Sequence, residues 1–94
     1  MGAGIEFDWD KSNAQHIALH QITPREAEEV ISNDPLDLDS ETVDGEERII
    51  SMGLTNRGRL LIVVTTMRQE RVRVVTAFSA PKRMEVLYLR ERGL

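Results

Sequence analysis

The sequence predicts one α+β domain, an antiparallel sheet with helices packed on one of its faces. Residues 48–54, 59–66 and 71–78 are apolar-rich and are joined by "TNRG" and "MRQE". Those connections are too short for a crossover, so neighbouring strands must run antiparallel. Ahead of them "TPREAEEV" carries helix-start chemistry, and behind them "PKRMEVLYL" repeats apolar residues at helical spacing.

In chain order, Ile5-Glu6-Phe7-Asp8-Trp9 alternates apolar and acidic residues, the period of a half-buried first strand. Asp10 is an N-cap for a helix from Lys11 to about His20, with Ala14, Ile17 and Ala18 as its apolar stripe. In the second helix Thr23 is the N-cap, Pro24 takes the first helical position and Glu26 completes a capping box. Ala27, Val30 and Ile31 form its buried side, and Asn33-Asp34-Pro35 stops it. Residues 36–46 alternate weakly and end on the turn pair Asp44-Gly45, which reads as an edge strand or a loop. Leu60 to Val64 is apolar on both faces and belongs at the sheet centre. A last helix from Pro81 places Met84, Leu87 and Tyr88 on one side. The order is β-α-α-β-β-β-β-α, one domain over residues 1–94. With one sheet face covered, the other is free to bind. If Val72, Val74, Thr76 and Phe78 face the core, Arg71 and Arg73 face outward, and Arg73→Ala should barely change stability.

A chain of 94 residues has room for one core. It has no cysteine, which excludes disulfides and thiolate metal sites and suits a reducing cytoplasm. No apolar run approaches the length of about 18 residues that a membrane helix needs. The opening "MGAGIEFDWD" lacks the basic and apolar regions of a signal peptide, and Glu6 stands where an N-myristoylation motif at Gly2 requires Ser or Thr. The expected location is the cytoplasm. The net charge of −4 conceals an asymmetry: residues 1–56 hold three cations and thirteen acids, residues 57–94 nine cations and three acids. Such a basic half can present a phosphate-binding patch, or it can simply pair with the acidic half across the fold.

The ordered pieces "FDWDKSNAQHIALHQITPREAEEV", "NDPL", "GEER", "RGRLLIVVTT" and "RVRVVTAF" resemble the BrnT family of bacterial toxins from about Ile5 to Tyr88. The resemblance implies a RelE-like fold, ribonuclease activity and a cognate DNA-binding antitoxin, BrnA, with which the toxin can assemble into an oligomeric complex. It also shows departures. Many members read Lys-His-Gly where this chain has Leu19-His20-Gln21, and Ser-Ala-Arg where it has Thr76-Ala77-Phe78, whereas the cation pair at Lys82 and Arg83 is kept. The chain resembles a divergent branch.

His20 is the candidate acid or base for attack of a ribose 2′-hydroxyl on the adjacent phosphate, against the simpler role of a helix C-terminal histidine. His16 and His20 share a helix face, but without a third ligand they point to no metal site, and no cofactor is implied. Arg59, Arg73, Lys82 and Arg83 are the candidate catalytic cations, since arginine forks grip phosphate oxygens and stabilise a pentavalent transition state. Arg59 and Arg73 fall on adjacent strands and are expected to converge. Arg71 is a candidate RNA contact, as is the Tyr88 hydroxyl, although Tyr88 at helical spacing with Met84 and Leu87 is more usually core. Two functions remain open. One is a ribonuclease toxin acting by metal-independent transphosphorylation. The other is a catalytically silent module that keeps the fold and pairs with an antitoxin-like DNA-binding partner.

Overall fold

The computed structural model describes residues 4–93; Met1 and Gly2, weighed above for acylation, lie outside them. Helix α1 spans Lys11–Ala18. Asp10 caps it by accepting from the Asn13 backbone N–H at 3.1 Å, while Asn13 Oδ1 accepts from the Asp10 N–H at 2.8 Å. Its far end closes with Gln21 N–H bonded to Ala18 O and Ile22 N–H to Ile17 O. Gln21 takes φ 61° there, the left-handed residue such a terminus requires. Helix α2, Pro24–Ser32, has the expected capping box, with Glu26 N–H donating to Thr23 Oγ1 at 3.1 Å and Thr23 N–H to Glu26 Oε1 at 3.0 Å.

Four strands follow: β1 Leu36–Val43, β2 Glu46–Leu54, β3 Leu60–Arg68 and β4 Arg71–Ser79, then helix α3, Lys82–Glu91. The sheet order is β1-β2-β3-β4 and every pairing is antiparallel. Of the two readings of residues 36–46, the edge strand is therefore the one adopted. Asp44 and Gly45, at φ 52° and 79°, make the β1–β2 turn. Gln69 and Glu70 adopt the same sign of φ at the β3–β4 turn without a glycine, at roughly 1 kcal/mol each.

Three expectations need correction. The alternation at Ile5–Trp9 yields only a single parallel bridge, Phe7 to Val72, held by Asp8 N–H to Val72 O and Val72 N–H to Glu6 O. The ladder stops there because the Asp8 carbonyl turns to accept the Asn13 side-chain amide at 3.0 Å. Second, helices cover both sheet faces. Ile17, Ile22, Ala27 and Val30 of the α1–α2 layer pack with Leu61, Val63, Val74 and Ala77. Met84 and Tyr88 of α3 pack on the opposite face with Met52, Ile62 and Phe78.

Third, β4 does not alternate strictly. Val64 pairs with Thr76 but Thr65 pairs with Val74, so Val75 is an extra residue on β4. The bulge puts Val74 and Ala77 on the same face and sends Phe78 to the other, apart from Val74. Arg73, ahead of the bulge, keeps the face opposite Val74, but Asp8 and Asp10 enclose it there and leave it 9% exposed.

Candidate functional site

Helix α3 covers only the end of the second face where β2 finishes and β3 begins, beside Leu54, Leu60 and Ala80. At the other end the same face becomes polar. Counting by twos from Ile50 and Ile62, the register puts Glu46 and Arg48 of β2 and Arg68 of β3 on that face. Arg73 lies opposite Thr66 and so shares it. Together with Ser12, Asn13 and His16, which reach it from α1 along the β4 edge, and with Val75 of the bulge, these residues line a hollow of about 310 Å³. Three guanidinium groups from three adjacent strands thus face one small space.

Each of them already has an acidic neighbour. Arg73 sits 3.1 Å from Asp10 and 3.6 Å from Asp8, and its Nη2 donates to Asp10 Oδ1 at 3.2 Å. Glu46 lies between the other two, 3.3 Å from Arg68 and 3.9 Å from Arg48. Arg48 Nε is buried without a hydrogen-bond partner among the described residues. Guanidinium donors hold phosphate oxygens in bidentate fashion, so the hollow is chemically an oxyanion site with built-in carboxylate counterions.

The Arg73 hydrogen bond and the Asn13 backbone N–H hold the Asp10 carboxyl below its ordinary range, while Asp10 raises the pKa of Arg73. Glu26 is lowered likewise, first by the Thr23 backbone N–H and then by Arg59. A depressed carboxyl contributes stability above its unfolded pKa and loses it as pH falls through the folded value. With unfolded values of about 3.9 for Asp and 4.3 for Glu, the native state should weaken as pH drops below about 4. Thermal melts from pH 6 to pH 3 should show this, and Asp10→Asn with Glu26→Gln should flatten the slope. An unchanged slope in that double variant would locate the acid sensitivity elsewhere.

The residues singled out from sequence are spread along the sheet. Arg73 is in the hollow. Arg59 is at the opposite end of β4, so the expected convergence of the two does not occur: Arg59 donates to Gln21 O at 2.9 Å and to Ser79 Oγ at 3.2 Å, and pairs with Glu26 at 3.2 Å. Arg71 is exposed beside the β3–β4 turn, opposite Arg68. Lys82 and Arg83 are exposed in the first turn of α3, away from the hollow. His20 is exposed, its ring 6.1 Å from that of His16 and 6.3 Å from that of Phe78. Tyr88 is 6% exposed within the second cluster, with the Arg92 guanidinium 5.4 Å above its ring. Among the described residues no group of three or more His, Asp or Glu is placed to hold a metal ion.

The charge asymmetry resolves in part into pairing across the fold, since Arg59, Arg68, Arg73 and Arg92, four of the nine cations of residues 57–94, each meet an acid from residues 1–56. Sequence reasoning missed Arg48 and Arg68 in the hollow and considered His16 only as a metal ligand. The signal was available in the period-two register of Glu46, Arg48 and Arg68 once the hairpin turns are fixed. It also missed Asn13, 4% exposed, whose amide donates to Asp8 O and to Val74 O at the bulge, each at 3.0 Å.

No helix among the described residues is long and apolar enough to cross a membrane. The family model for "Ribonuclease toxin, BrnT, of type II toxin-antitoxin system" matches residues 9–83. No curated protein matches the chain.

Proposed function

The chain belongs to the BrnT family of type II toxin–antitoxin ribonuclease toxins, and on that premise we propose that it cleaves RNA by metal-independent transphosphorylation in the arginine hollow. The observation that carries this reading is the convergence of Arg48, Arg68 and Arg73 from neighbouring strands on one space. A phosphodiester entering it exchanges the Glu46, Asp8 and Asp10 carboxylates for its own oxygens. The three cations then stabilise the extra charge that develops when the 2′-hydroxyl attacks phosphorus. Arg71, exposed beside Arg68, meets the strand next to the scissile link. Lys82 and Arg83, at the far end of β4, would touch nucleotides well outside it.

A type II family implies an antitoxin partner. We expect one of the BrnA kind, which binds DNA in the complex. The cytoplasm, where RNA and such a partner meet, is the expected location. One observation favours the competing reading of a silent binding module: every arginine of the hollow already holds a carboxylate.

Purified protein incubated with RNA in excess chelator should leave 2′,3′-cyclic phosphate and 5′-hydroxyl ends. Strong induction without a partner should arrest growth. Intact RNA in the presence of folded protein would sink the ribonuclease reading and establish the silent module.

A further inference from the structure

We infer that Glu46 is the general base and His16 the general acid of the arginine hollow, an assignment that rests on the phosphodiester reading above. Transphosphorylation needs one group to take a proton from the ribose 2′-hydroxyl and another to give one to the leaving 5′-oxygen. Guanidinium groups cannot do either, because they stay protonated in proteins. Neither the Asn13 amide nor the Val75 side chain can exchange a proton, and the Ser12 hydroxyl is a poor acid and base. That leaves one carboxylate and one imidazole among the lining residues, Glu46 and His16. Asp8 and Asp10 are not in the lining.

Their placement suits the reaction. Glu46 opens β2, whereas His16 comes from α1, which packs on β4. Strand β3 lies between β2 and β4, so the two walls are separated by two strand spacings, about 10 Å. A phosphate held by the intervening arginines has room between them. In-line displacement requires the attacking and leaving oxygens on opposite sides of phosphorus, hence base and acid on opposite walls. Both groups also reach solvent: the Glu46 side chain is 26% exposed and His16 is exposed, so each can recover its proton state between turnovers.

The step balances. The Glu46 carboxylate takes the 2′-hydroxyl proton as the O2′–P bond forms. The P–O5′ bond breaks and O5′ receives a proton from the His16 imidazolium. The products are a 2′,3′-cyclic phosphate and a 5′-hydroxyl, with His16 neutral and Glu46 protonated until solvent restores both.

The test compares wild type, Glu46→Gln and His16→Ala on two oligoribonucleotides, one ordinary and one with sulfur replacing the bridging 5′-oxygen at the scissile link. A thiolate leaves without a proton. Loss of the general acid should therefore lower cleavage of the ordinary substrate by about 10²–10⁴ while changing the sulfur substrate by less than about tenfold. Glu46→Gln should lower cleavage of both alike, with melting temperatures of both variants near wild type. Equal losses on the two substrates for His16→Ala, or full activity of Glu46→Gln, would overturn the assignment while leaving the ribonuclease reading intact. Wild-type protein that cleaves neither substrate overturns that reading and this assignment together.

Discussion

Asn13→Ala should lower the melting temperature by about 10–20 °C, the largest stability effect expected of any polar substitution in this chain. The side chain is 4% exposed and ties three segments together. Its amide donates to Asp8 O and Val74 O, and its Oδ1 accepts from the Asp10 N–H. Alanine strands two carbonyls and one N–H in places that water reaches poorly. At about 1 kcal/mol for each lost hydrogen bond, the cost is roughly 2–3 kcal/mol. A domain of this size shifts by about 4–8 °C per kcal/mol. Asn13→Asp keeps the acceptor but sets a carboxylate against the two carbonyls, so it should not rescue. A calorimetric melt within about 3 °C of wild type would show that the bulge does not depend on this amide.

Arg48→Ala combined with Arg68→Ala should reduce RNA cleavage by at least about 10²-fold while barely moving the melting temperature. The Arg68 side chain is 52% exposed and its bond to Glu46 lies in solvent, so its stability contribution is small. Arg48 is 29% exposed and its nearest carboxylate oxygen is 3.9 Å away. Removing both cations should also reduce the salt dependence of RNA affinity, by about 0.7 in slope for each charge on a single strand. Titration at two salt concentrations measures the slope, and a gel of labelled RNA measures the rate. Retained affinity and unchanged slope would mean the hollow never meets the phosphate backbone. Arg73→Ala is a poorer probe than its sequence suggests, because the side chain is 9% exposed and partners both Asp8 and Asp10. It should lower the melting temperature measurably, against the near-neutral change expected of a solvated cation.

What could be read in advance was whatever the chain decides locally. Thr23, Pro24 and Glu26 fix a helix start within four residues, and the short turns force the antiparallel meander. Asp10 was legible as a cap for the same reason. The burial of Arg73 was not. It depends on two acids some sixty positions earlier that close over its face of β4, and alternation along the strand has no place for them. Arg59 was misjudged for a related reason: adjacency in the sheet says nothing about which end of a strand pair a residue occupies. His16 gained its place from the way α1 overhangs the edge of β4, a fact of packing that helical spacing cannot carry. Phe78 marks the converse case. Its departure from the family pattern was visible in the chain, but only the bulge shows that it now belongs to the cluster under α3.

The bulge at Val75 gives β4 a phase. On one side of it the strand is read in one frame, with Arg73 on the hollow and Val74 in the α1–α2 core. On the other side the frame has slipped by one, with Ala77 in that core and Phe78 beneath α3. Losing Val75 alone would close the ladder into regular alternation, with Val74 still opposite Thr65, Thr76 opposite Val64, Ala77 opposite Val63 and Phe78 opposite Ile62. Every residue on either side would keep its face. What the extra residue adds is a local bend and a side chain at the wall of the hollow. Divergence of this chain can therefore drop one residue at this point, and reshape the hollow by doing so, without shifting the frame of β4.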